Sequence, residues 1–200
     1  MKRFVYITLA ICILFGSSAH IGVSDEINFI HKERMNCINE VKGELTKEVA
    51  SYIEQVAPSS QVSASHLVKG CHEYDVDIIF VLAQGTIESH FATRGIGGKI
   101  NSIFNVCVYD NIKSSNGVNK THCYIHPDDS IEPYLQLLCE SYLVNGKTEQ
   151  DLLTNYVNMH GHRYASNPQY EIQLASVIRR IKHTTKIDSL NQRYKEIQLS

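Results

Sequence analysis

The sequence predicts a mainly helical domain with a small β-lobe inserted after its central helix. Apolar residues recur at helical spacing through most of the chain, and the helix expected over 76–91 is apolar nearly all round. Between residues 97 and 127, by contrast, glycine, asparagine and serine are dense, and short stretches favour extended structure. With 200 residues, 43% hydrophobic and 20% charged, the chain is long enough for one real core, and its composition excludes wholesale disorder.

Lys2 and Arg3 precede an uncharged run over 4–16, followed by Ser17, Ser18 and Ala19. A basic start, an apolar stretch short for a bilayer and small residues at the −3 and −1 positions predict a signal peptide over 1–19, cut after Ala19. The alternative is an uncleaved membrane anchor. No other segment has the length and apolarity to span a membrane, so the expected location is outside the cell or in its envelope, without stable membrane insertion after cleavage. Removing Lys2 and Arg3 leaves 17 basic residues against 21 acidic, a net charge of −4. Such a balance argues against nucleic-acid binding, because no basic stripe is available to replace phosphate counterions. Five cysteines remain in the expected mature chain: Cys37, Cys71, Cys107, Cys123 and Cys139. In an oxidising compartment one or two disulfides are expected, with Cys107–Cys123 the favoured pair.

An amphipathic helical segment is expected over 20–57, with Ile27, Ile30, Ile38, Val41, Leu45, Val49 and Ile53 on its apolar stripe, as one long helix or two shorter ones. Ala57-Pro58-Ser59-Ser60 breaks the pattern and marks the boundary of the main domain, expected over 58–183. Ser63 or Ser65 caps the next predicted helix, and Asp75 or Asp77 caps the central one, which should stop at Thr93-Arg94-Gly95. Asn116-Gly117 is a hairpin dipeptide within the predicted β-lobe. Helices resume at Asp129 or Ser130 and stop at Asn145-Gly146; another opens at Thr148 with Asp151 and carries Leu152, Leu153, Tyr156 and Val157 inward. Asn167-Pro168 opens the last core helix, and a helical tail is expected over 184–200.

Glu88 is the residue with chemical content. It lies near the end of the most apolar helix, and Gln84, four residues earlier, shares its face. A carboxylic acid among apolar groups has its charged form desolvated, which raises its pKa and keeps a proton available for a leaving oxygen. A glutamate at a helix end is otherwise a solvated surface group, and the residues alone leave both readings open.

The stretch Phe80-Val81-Leu82-Ala83-Gln84-Gly85-Thr86-Ile87-Glu88-Ser89-His90-Phe91 resembles the helix of the glucosaminidase family, glycoside hydrolase family 73. Asn101-Ser102-Ile103-Phe104-Asn105 is similar to its asparagine-aromatic segment, and Asp129-Ser130-Ile131 with Tyr134, Leu137 and Leu138 to its serine-led helix. Arg163-Tyr164-Ala165-Ser166-Asn167-Pro168-Gln169-Tyr170 resembles its tyrosine-alanine-threonine-aspartate-proline-x-tyrosine motif. The resemblance spans about residues 64 to 183. It implies a lysozyme-like α+β fold with a cleft, Glu88 as general acid, and Tyr164 near the scissile sugar. The substrate implied is peptidoglycan or a related N-acetylated glycan, cut after N-acetylglucosamine. Gln84, Asn101, Phe104, Tyr109 and Tyr170 are the candidate substrate contacts.

Two departures stand out. Asn167 replaces the family aspartate, and no glutamate lies between Glu88 and Glu132, so Asp110 is the candidate second acid or base. A muramidase or lytic transglycosylase, and a glycan-binding module without catalysis, are the alternatives. No cofactor or metal is called for: His122, Cys123 and His126, Cys71 with His72, and His160 with His162 lack the closed spacing of a metal site. Nothing in the sequence identifies a protein partner.

Overall fold

The computed structural model describes residues 19–106 and 124–199, with side chains from residue 25. Helix α1 (Ala19–Val56) is a single long rod. Its second half buries Val41, Leu45, Val49, Tyr52 and Ile53, whereas Ile27 and Ile30 upstream stay exposed. It packs against α2 (Ala64–Glu73) and the last helix, α8 (Ile187–Leu199). Arg34 Nε donates to Ile197 O at 3.1 Å, tying the rod to the end of α8.

Helix α2 is capped by Ser63, whose hydroxyl accepts from His66 N. The central helix α3 (Ile78–Glu88) is capped by Asp77, which accepts from Ile79 N at 2.8 Å. Every residue of α3 from Ile78 to Thr86 is buried, so this helix is the axis on which the domain is assembled. A one-turn-and-a-half helix, α4 (Gly95–Ile100), follows it. After a 3₁₀ turn (Pro127–Ser130), α5 (Ile131–Leu137) continues into a π-turn, Leu138–Tyr142. Helix α6 (Glu149–Leu152) is a single turn closed by a Thr148–Asp151 capping box. Helix α7 (Tyr170–Thr184) then returns across α3 and brings Tyr170 against its C-terminal end.

Three expectations need correction. The central helix stops at Glu88 and not at Thr93–Gly95; Gly95 does have a positive φ of 65°, but it opens α4 instead of ending α3. No strand occurs among the described residues, where the one β-feature is an isolated bridge between Val157 and Arg163. The described flanks of the expected β-lobe are helix and turns, because Asn101 and Asn105 take left-handed backbone (φ 52° and 56°), which ends extended pairing. The remainder of that lobe, with Cys107, Tyr109, Asp110, the 116–117 turn and Cys123, lies outside the described residues. Finally, Tyr156 is buried from an irregular segment beyond α6 and not from a continued helix. Among the described residues Cys37, Cys71 and Cys139 are free, and no helix is long and apolar enough to cross a membrane.

Candidate active site

The site is built on the way α3 ends. After Ser89 the backbone turns left-handed for three residues, His90, Phe91 and Ala92, with φ of 48°, 53° and 60°. Such backbone costs roughly 1–2 kcal/mol per non-glycine residue, so packing must hold it. Phe91 is fully buried, edge-on to Tyr52 at 6.2 Å, and its N–H reaches back to Gly85 O at 3.0 Å. A Cβ on Gly85 would lie 2.9 Å from the Phe91 ring, which explains a glycine inside a buried helix. Ser89 Oγ donates to Ile103 O and accepts from Ala92 N, both at 2.7 Å, locking the turn to the following loop.

This arrangement leaves Glu88 half-buried at the last turn of α3. Tyr170 Oη donates to Glu88 Oε1 at 2.5 Å, and Asn105 Nδ2 donates to Oε2 at 2.7 Å. Burial raises the Glu88 pKa above its ordinary value, against the opposing pull of the Tyr170 and Asn105 hydrogen bonds. The result is a carboxyl group that holds a proton at acidities where a surface glutamate has lost it.

Behind Glu88 stands a buried tyrosine cluster. Gln84 has no exposed surface; its Oε1 accepts from the hydroxyls of Tyr134 and Tyr156 (3.0 Å for Tyr156), and its Nε2 donates to Tyr170 Oη at 3.2 Å. Every donor in this chain points toward Glu88. Tyr156 stacks on Tyr164 with centroids 4.6 Å apart, and Phe104 stacks on Tyr134 at 3.7 Å. Burial pushes the phenols of Tyr134, Tyr156, Tyr164 and Tyr170 well above the ordinary tyrosine range, so they serve as neutral donors and do not ionise.

The residues predicted from sequence divide accordingly. Glu88 and Tyr170 are joined directly. Gln84 shares the Glu88 face, yet it has no exposed surface and its amide bonds Tyr134, Tyr156 and Tyr170, so in this structure it orients Tyr170 from the core and does not line an open site. Phe104 is likewise a core residue, 1% exposed, with its ring stacked on Tyr134 and its carbonyl accepting from Tyr164 Oη at 2.8 Å. Asn101 caps α4 and uses its amide to hold the carbonyls of Tyr124 and Ile125, both at 3.0 Å. Tyr164 is half-buried and is the one predicted tyrosine of the cluster with a partly open edge. Tyr109 and Asp110 lie outside the described residues. Asn167 accepts from Gln169 N at 2.9 Å, a turn-capping role that needs no charge. The second contact of Glu88, Asn105, was not singled out from sequence; its only signal was an asparagine in a turn, a residue type that tolerates left-handed backbone. Among the described residues no group of three or more His, Cys, Asp or Glu is disposed to hold a metal.

A half-buried, protonatable carboxyl at a helix end, backed by neutral donors, is suited to giving a proton to an oxygen that leaves carbon. Comparison with curated proteins gives no match. Residues 64–183, which contain Glu88, Asn105, the tyrosine cluster and all but the last residue of α7, match the glucosaminidase family, described as mannosyl-glycoprotein endo-beta-N-acetylglucosaminidase, and the chain belongs to that family.

Proposed function

We propose that the protein hydrolyses the β-1,4 bond following N-acetylglucosamine in bacterial peptidoglycan, with Glu88 as general acid. The observation that carries this reading is the half-buried Glu88 carboxyl at the end of α3, held on one oxygen by Tyr170 and on the other by Asn105. Glu88 transfers its proton to the glycosidic oxygen as the bond from that oxygen to the anomeric carbon breaks. Water then adds its hydroxyl to the anomeric carbon, and its remaining proton restores the acid. Tyr170, oriented by Gln84, holds Oε1 throughout, and Tyr164 walls the sugar site from the side of Phe104. Asp110, the next acidic residue in the chain after Glu88, is the proposed second acid or base. The predicted signal peptide over 1–19 takes the enzyme out of the cytoplasm to its substrate.

The test is reducing-sugar release from purified peptidoglycan by the mature protein beside Glu88→Gln, with mass spectrometry of the fragments. Loss of a general acid lowers the rate by about 10²–10⁴-fold. The expected products carry N-acetylglucosamine at their new reducing ends. Anhydro-sugar products would replace hydrolysis by transglycosylation, and retention on cell wall without release of fragments would leave a binding module.

A further inference from the structure

Asn105 is reached through a chain of close contacts that begins at a glycine. Gly97, in α4, faces the loop over 102–105 so closely that a Cβ there would lie 2.5 Å from both Ser102 O and Ser89 Cβ, and 2.8 Å from Asn105 Oδ1. Ser102 Oγ donates to Val106 O at 2.8 Å and ties the loop on itself. Within this packing Asn105 takes a φ of 56°, which asparagine adopts more readily than most residues. Its side chain is thereby turned back onto the end of α3.

There, one nitrogen serves two acceptors on the same residue. Asn105 Nδ2 donates to Glu88 O at 2.9 Å and to Glu88 Oε2 at 2.7 Å. The carbonyl is one of those that a helix end leaves without an intrahelical partner. A primary amide is the side-chain group that can supply both protons from a single atom at this reach; a carboxylate has none and a hydroxyl has one. Tyr170 is buried and Asn105 exposed, so Oε1 looks into the core and Oε2 looks outward. Tyr170 receives a hydrogen bond from Gln84 Nε2, which directs its own proton to Oε1.

We propose that Asn105 is a positioning residue for Glu88, clamping the helix end and the carboxyl together so that the acid's proton is presented from Oε2. This rests on Glu88 being the general acid. With Oε1 committed to the inward donor, Oε2 keeps one lone pair for Asn105 and carries its proton on the outward side, where a glycosidic oxygen arrives. Removing the amide frees the carboxyl to rotate and takes away a donor that favours its ionised form, so Glu88 holds its proton to higher pH.

The test uses Asn105→Gly, which removes the amide while suiting the positive φ, and Asn105→Asp, which keeps the backbone and the volume but offers no donor. The ¹³C resonance of the Glu88 carboxyl, assigned with Glu88→Gln, is titrated in each protein, and kcat and KM are measured across pH on peptidoglycan. Asn105→Gly should move the Glu88 titration and the alkaline limb of kcat upward together, lower kcat about tenfold, the worth of one hydrogen bond, and leave KM nearly unchanged. Asn105→Asp should move the titration further up, since a second carboxylate then faces the first. Titrations that coincide with wild type in both variants, or a kcat for Asn105→Gly within twofold of wild type, would overturn the proposal. Titrations that shift as stated in a protein that releases no sugar would uphold the clamp and remove the hydrolase reading instead.

Discussion

Replacing Gln84 by leucine tests the buried tyrosine cluster directly. The side chains are similar in volume, but leucine neither accepts nor donates. Two hydroxyls on residues with at most 1% exposure, Tyr134 and Tyr156, lose their acceptor at once. A stranded buried donor costs about 1–3 kcal/mol, so two set an upper bound near 6 kcal/mol. Side-chain relaxation around the two hydroxyls offsets part of this, and the expected loss is about 2–4 kcal/mol. Against the roughly 5–15 kcal/mol typical of a domain, the variant still folds. At about 2–4 °C per kcal/mol for a chain of this size, its Tm falls by roughly 5–15 °C.

The assay is urea unfolding followed by far-UV circular dichroism, with Tyr134→Phe/Tyr156→Phe and the triple variant alongside. Removing both partners of a hydrogen bond is close to neutral where removing one is not. The triple variant should therefore be more stable than Gln84→Leu alone, and the cycle isolates the coupling. A Gln84→Leu loss below about 1 kcal/mol, or a triple variant no more stable than the single one, would refute the view that the amide satisfies these hydroxyls.

Tyr170→Phe removes the inward donor to Glu88, a contact that lowers its pKa; the carboxyl then keeps its proton to higher pH, and the alkaline limb of the pH–rate profile moves up, which a pH series of kcat/KM on peptidoglycan would detect. Gly97→Ala drives a Cβ into the backbone oxygen of Ser102 and should lose about 1–3 kcal/mol by urea unfolding, because backbone yields less than a side-chain tip. His72 stacks face to face on Tyr194 of α8 at 3.8 Å, and its pKa is lowered from 6.5 by burial first and by Lys42 and Lys195, against Asn191 and Asp75. Below pH 6.5 the unfolded chain takes up a proton that the folded one refuses, so stability falls as pH drops through that window. His72→Gln should flatten this slope, seen as urea midpoints that no longer separate between about pH 7.5 and pH 5.5.

What was readable in the sequence is what depends on local pattern. The stripe Val41, Leu45, Val49 and Ile53 packs inward as its spacing required, and Asp77 caps α3 by accepting from Ile79 N. The spacing of Gln84 and Glu88 placed them on one helical face. Whether that face opened into a cleft or onto the core depended on Tyr134, Tyr156 and Tyr170, which come from 50 to 86 residues away along the chain. Phe104 misled for the same reason: an aromatic beside a turn suits sugar stacking or core packing equally, and Tyr134 supplied the second. The segment after Ile100 read as extended because asparagine, serine and glycine carry little helical signal, whereas close approach at Gly97 folds its first residues into turns.

The surroundings of Glu88 also explain why its donors do not defeat the role proposed for it. Burial alone would keep the proton on but would make the anion left after transfer unstable, and so would slow the transfer itself. Tyr170 and Asn105 oppose burial, and they bond more strongly to the carboxylate than to the acid. Their contribution therefore grows as the proton leaves, which places it in the transition state and not in the resting enzyme. Because Tyr170 is buried and takes its orientation from Gln84, that donor is aligned before the proton moves, and little reorganisation is needed when charge develops. The tyrosine cluster that stabilises the fold is thus the same structure that readies the acid, and disturbing Gln84 should lower kcat by more than the loss of folded protein accounts for.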